Sequence, residues 1–144
     1  MDSIETILDD FNKVKAACKE MEGKKIRVGM VGAQSSEVLT IAHAHEYGVP
    51  GKLPERSFIR ASYDADNDQL QSIVSGSLIK MLDGKITPDG AAQAIGAQAA
   101  QLVQNYIDDN RVTPPSDFSR KTQHTTLYET GTHIRDRIAY EVEG

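Results

Sequence analysis

The stretch from Thr87 to Ile107 constrains the fold more than any other part of the sequence. Threonine followed by proline is the favoured start of a helix, because proline lacks the N–H that a helix beginning leaves unpaired. Ala91, Ala92, Ile95, Ala99, Leu102, Val103, Tyr106 and Ile107 then recur at helical spacing. The small residues Ala94, Gly96, Ala97 and Ala100 let another backbone come close, in the same chain or in another copy. A second helix precedes it, with an apolar face of Leu70, Ile73, Val74, Leu78, Met81 and Leu82 and an end at Gly84. A third is predicted over residues 3–22, where Ile4, Ile7, Leu8, Phe11, Val14, Cys18 and Met21 alternate with charged residues. Ser3 is its N-cap and Gly23 its stop. Cys18 lies in that stripe and reads as a small buried hydrophobe rather than a reactive thiol. Ser35 or Ser36 caps a fourth helix through SSEVLTIAHAHEY, stopped by Gly48 and Pro50.

Two segments read as strands. KKIRVGMVG alternates through Ile26, Val28 and Met30, and near the end Ile138, Tyr140 and Val142 alternate with Arg137, Ala139 and Glu141. SFIRAS, reached through the loop GVPGKLPER, is expected to be short and extended. The expected fold is α+β, several helices packed against a small antiparallel sheet that includes strands at 25–31 and 137–142. One domain is expected: an N-terminal helix at 3–22, a core at 24–110, an interface loop at 111–126, and a C-terminal turn and strand at 127–143. The turn is expected around residues 130–136.

At 144 residues one domain can bury roughly two thirds of its unfolded surface. Sixteen basic against 21 acidic residues give a formal charge of -5, which argues against a protein built to grip phosphates. The single cysteine rules out an intramolecular disulfide framework. The start, MDSIETILDDF, is acidic and polar, unlike a signal peptide. No apolar run approaches the roughly 20 residues that span a bilayer. A cytoplasmic protein, or part of something assembled in a cytoplasm, is expected, with no membrane partner.

For chemistry, the most tempting cluster is His43, His45 and Glu46. Zinc hydrolases place two histidines four apart on a helix so that both rings point one way. A spacing of two turns them about 200° apart on a helix. His124 and His133 have no partner at ligand spacing. GMVGAQSS resembles a phosphate-binding turn but lacks the P-loop lysine, and no G-x-S-x-G elbow exists. A protein without catalytic residues, cofactor or metal is therefore expected. The rival from another class is a small metal-dependent hydrolase built on His43, His45 and Glu46.

Recognition of other proteins has better candidates. In ERSFIR, alternation puts Phe58 and Arg60 on one face of an extended segment and Ile59 on the other. An exposed aromatic flanked by Arg56 and Arg60 is a good docking element, since aromatics and arginine dominate interface hot spots. The alternative is that Phe58 plugs the core while the arginines are solvated. Glu46 could pair with Arg56 or Arg60. The 111–126 stretch, RVTPPSDFSRKTQHTT, is too polar for core and too long for an ordinary connection. Pro114-Pro115 is expected to project it from the body. Phe118, Arg120 and Lys121 would then anchor it on a partner, the loop being mobile in the free subunit and ordered in an assembly.

The segment IAHAHEYGVPGKLPERSFIRA, residues 41–61, resembles a signature of tailed-phage neck and tail-completion proteins, among them the lambda-like tail-component and Mu-like virion-morphogenesis families. Their pattern is an aliphatic-rich helix ending in Asn-Glu-aromatic-Gly, a variable loop, then Pro-x-Arg-Pro-Phe-aliphatic-Arg. Glu46, Tyr47, Gly48, Pro54, Arg56, Phe58, Ile59 and Arg60 match it; His45 stands where Asn is usual and Ser57 where Pro is usual. A second match, at PPSDFSRK and LYETGTHIRDRIAYEV, rests on Pro114, Pro115, Lys121, Leu127, Thr130, Gly131, Ile134 and Tyr140. The resemblance spans about residues 25 to 142. It implies a virion protein, made in the host cytoplasm, that forms a ring of six copies at the head–tail junction. Its implied neighbours are the head-completion or connector protein and the tail terminator or tail tube. DNA would pass through the lumen without specific binding. Tail terminator and head-completion protein are the alternative slots in the same particle.

Overall fold

The structure, a computed structural model, describes residues 3–32, 34–115 and 134–144. Along the described chain run α1 (Ile4–Glu22), β1 (Lys25–Gly29), α2 (Ser36–Tyr47), α3 (Ile59–Ala65), α4 (Asn67–Leu82), α5 (Pro88–Asp108), a 3-10 turn (Ile134–Arg137) and β2 (Ala139–Glu143). The fold is α+β: five helices with a two-stranded antiparallel sheet among the described residues. β1 and β2 pair from Lys25 opposite Glu143 to Gly29 opposite Ala139. That register puts Ile26 opposite Val142 and Val28 opposite Tyr140.

Helix α5 is the spine of the core. Thr87 caps it, its side chain accepting from Gly90 N, and ten of its residues are buried. Ala100, Val103, Tyr106 and Ile107 join Ala42 of α2, Phe58, Val112, Ile134 and Ile138 in one apolar cluster. A bidentate pair ties the 3-10 turn to the end of α5: Arg135 Nε and Nη2 donate to the two Asp108 oxygens at 3.0 and 2.7 Å.

The small-residue face of α5 is partly used within the chain. The Tyr140 ring of β2 lies over Gly96, and a Cβ there would overlap the ring near its attachment to the backbone. The ring could clear it only by moving the strand. Gly96→Ala is therefore expected to lower stability by about 1–2 kcal/mol, overpacking outweighing the gain in helix propensity. A urea titration checks it, and the added change Tyr140→Val should recover part of the loss.

Three expectations need correction. SFIRAS is not extended: from Ile59 it is the first turn of α3. Helix α1 forms as expected, with Ser3 Oγ accepting from Thr6 N, but none of its residues is buried and Cys18 is exposed. Helical periodicity identifies an apolar face without saying whether the same chain covers it. Finally, the 111–126 stretch begins inside the body. Val112 is buried in the main cluster, and Arg111 holds Asp66 at 2.8 and 3.0 Å. Pro114 is tied to the body by its carbonyl, which accepts from Arg56, while the projection expected of the loop that follows Pro115 falls outside the described residues. Phe118, Arg120, Lys121 and the first half of the expected 130–136 turn lie outside the described residues.

A candidate docking site around the Glu46 clamp

Val38, Ala42 and Glu46 follow one another at four-residue intervals on α2, and all three are buried. A glutamate on the buried face of a helix needs partners, and here they come from the start of α3. Gly48, at a φ of 74° that suits glycine, turns the chain out of α2. The Glu55 backbone approaches so closely that a Cβ at position 48 would meet it at 2.8 Å. A bridge between Val49 and Leu53 folds the loop back, and Arg56 N then donates to His45 O at 2.7 Å. Residues 57–60 are thereby laid across the end of α2.

The Glu46 carboxylate receives the first N–H groups of α3. Phe58 N and Ile59 N donate to Oε2 at 2.8 and 3.0 Å, and Arg60 N donates to Oε1 at 2.9 Å. Ser57 Oγ donates to Oε1 at 2.9 Å and itself accepts from Ala61 N. Arg60 Nε closes the cage with a 3.0 Å bond to Oε1, and Arg60 Nη2 reaches Glu46 O and Glu55 Oε1. Phe58 at the N-cap position of α3 offers no side-chain cap. Glu46 is the cap, supplied from another helix, and its negative charge suits the helix beginning.

Above this clamp lies a surface stack. The Tyr47 ring has the Arg60 guanidinium 4.4 Å from its centre and the His43 ring 4.7 Å away. Tyr47 is 54% exposed. Beside it runs an apolar groove of about 320 Å³ lined by Met30, Leu39, Ala42, His43, Phe58 and Ile59. Of the residues the sequence marks as interface candidates, Glu46, Tyr47 and Arg60 come together here. Phe58 does not offer an anchor: it is fully buried beneath the groove, so the core reading of its aromatic ring holds. Arg56 points elsewhere, with Nε donating to Pro114 O at 2.7 Å.

The two histidines part company on the helix. His43 stacks on Tyr47, while His45 keeps a buried Nδ1 without a hydrogen-bond partner. Among the described residues no three His, Cys, Asp or Glu side chains are grouped to hold a metal ion. Glu46, the third member of the suspected triad, has its oxygens engaged by α3.

These environments predict how stability depends on pH. Burial and the nearby Arg56 charge hold the His45 imidazole below its ordinary 6.5. Burial alone would raise the Glu46 carboxyl, but the bonds from Arg60, Ile59, Phe58 and Ser57 outweigh it and hold it below 4.5. The unfolded chain thus binds a proton at each site before the folded one does. Stability should fall first as pH drops through 6.5, then further below 4.5. Urea midpoints between pH 8 and pH 4 check this, and His45→Leu should remove the upper step only.

No helix among the described residues is long and apolar enough to cross a membrane. No protein-family model, curated protein or solved structure matches the chain.

Proposed function

We propose that this protein is a non-catalytic assembly subunit, a neck or tail-completion protein that forms a ring at the head–tail junction of a tailed phage. One observation supports the reading above others. The motif residues Glu46, Tyr47, Gly48 and Arg60, scattered over fifteen positions of sequence, converge on one clamp. What the clamp holds in place is a surface, not a reaction centre. Tyr47 and Arg60, residue types that carry binding energy at interfaces, are fixed by stacking and by the carboxylate before any partner arrives. The groove of Met30, Leu39 and Ile59 beside them gives a neighbouring subunit apolar surface to cover. Ring closure requires a head-to-tail contact, in which this face meets a different face of the next copy.

Tyr47→Ala tests the site. Tyr47 is about half exposed and loses only its surface stacking, so folding stability should change by no more than about 1 kcal/mol. Association should weaken by about 2 kcal/mol, seen as loss of closed rings in native mass spectrometry and loss of incorporation into particles. A variant that still closes rings and enters particles normally would remove this face from the interface.

A further inference from the structure

One residue ties the loop between α2 and α3 at two points. Arg56 N donates to His45 O at 2.7 Å, and Arg56 Nε donates to Pro114 O, also at 2.7 Å. The side-chain bond crosses 58 positions of sequence and fastens the 111–115 segment to the end of α2. The base of that segment is fixed separately: Val112 is buried in the main cluster, and Arg111 is paired with Asp66. Beyond Val112, the bond from Arg56 is the hydrogen bond that holds it among the described residues.

Beside Arg56 stands an imidazole without its usual outlets. His45 keeps a buried Nδ1 with no hydrogen-bond partner, and Arg56 is the charged group that acts on it. The other charges of the neighbouring elements are engaged elsewhere. On α2, Glu46 is closed into the cage under α3, and His43 stacks on Tyr47. In the loop Glu55 takes Arg60, and at the base of the segment Arg111 takes Asp66. The Arg56 guanidinium is left on a neutral carbonyl acceptor.

A proton on His45 therefore meets two penalties at one place. Both ring nitrogens of an imidazolium carry N–H groups, and the buried one has no acceptor. A second positive charge also appears beside the guanidinium. The more weakly held group gives way. One bond to a neutral oxygen holds the guanidinium, whereas the ring rides on a helix. We propose that His45 and Arg56 form a proton-operated latch on the 111–115 segment, closed with a neutral imidazole and open with an imidazolium. Opening releases Pro114 from the α2–α3 loop while Arg111 and Val112 keep the base of the segment in place. Burial and the Arg56 charge both hold the imidazole below 6.5. The latch is thus closed at neutral pH and opens as pH falls through that depressed value. It does not depend on the ring reading.

NMR between pH 8 and pH 5 reads the latch directly. The Pro114 carbonyl carbon and the Thr113 amide should shift together with the His45 ring, at one shared midpoint below 6.5. His45→Gln, neutral throughout, should abolish that shift and leave Pro114 at its closed value. Arg56→Met should put Pro114 at its open value at every pH. By linkage it should also raise the His45 midpoint toward 6.5, which an arginine with a merely structural role would not do. If either variant fails to fold, the wild-type titration decides by itself. A Pro114 carbonyl that stays put while His45 titrates would overturn the proposal. So would a shift that persists in His45→Gln, or an Arg56→Met chain whose His45 midpoint is unmoved.

Discussion

Glu46→Ala is expected to destabilise the protein by about 3–5 kcal/mol, among the largest effects of any single side-chain truncation outside the apolar core. The carboxylate accepts from three consecutive backbone N–H groups, the Ser57 hydroxyl and the Arg60 guanidinium. Truncation leaves the buried Phe58 N–H and its neighbours without acceptors, and the first turn of α3 loses its cap. Glu46→Gln keeps the shape and one acceptor oxygen but turns an amide NH2 toward N–H donors. It should cost less, about 2–3 kcal/mol. Because the folded carboxyl titrates below its ordinary value, the gap between wild type and Glu46→Gln should narrow as pH falls below 4.5. Urea unfolding at pH 7 and pH 4 measures both. A loss under about 1 kcal/mol for Glu46→Ala would mean that water replaces the carboxylate readily and that the clamp is not what shapes α3.

The second large effect is expected at Phe58. Its ring is fully buried against the cluster of Ala42, Val103, Ile107, Val112 and Ile134. Phe58→Ala should therefore cost about 3–5 kcal/mol of stability, and Phe58→Leu about 1 kcal/mol. Calorimetry separates this from an interface role. If Phe58→Ala instead melts like the wild type and fails only in assembly, the ring is an anchor for a partner and lies open in the free protein.

How much of the fold is legible in the sequence follows from where the determining contacts lie. Thr87-Pro88 and the stripe through Ile107 specify α5 locally, so its start, length and buried face are readable. The alternation in β1 and β2 is likewise local, and the sheet follows from it. Helix α3 is different. Its cap stands on another helix, so the segment around Phe58 shows no start signal of its own and reads as extended. A trace of the clamp is nonetheless present. Val38, Ala42 and Glu46 share one face of α2, and a carboxylate continuing an apolar face implies partners brought from elsewhere. That α1 leaves most of its stripe uncovered is invisible in the sequence, since a period of 3.6 is the same whether the cover is the same chain or another. The burial of Val112 is hidden for a related reason: an isolated apolar residue in a polar stretch gives no periodicity, yet it lies in the main cluster.

The most direct test of the assembly role is imaging of tailed particles produced in cells that express this chain with a gold-binding tag. A neck subunit should place label at the head–tail junction, and averaged density there should close into a ring with this fold repeated around the tail axis. Particles that carry no label at the junction, with the tagged protein recovered only outside them, would contradict it.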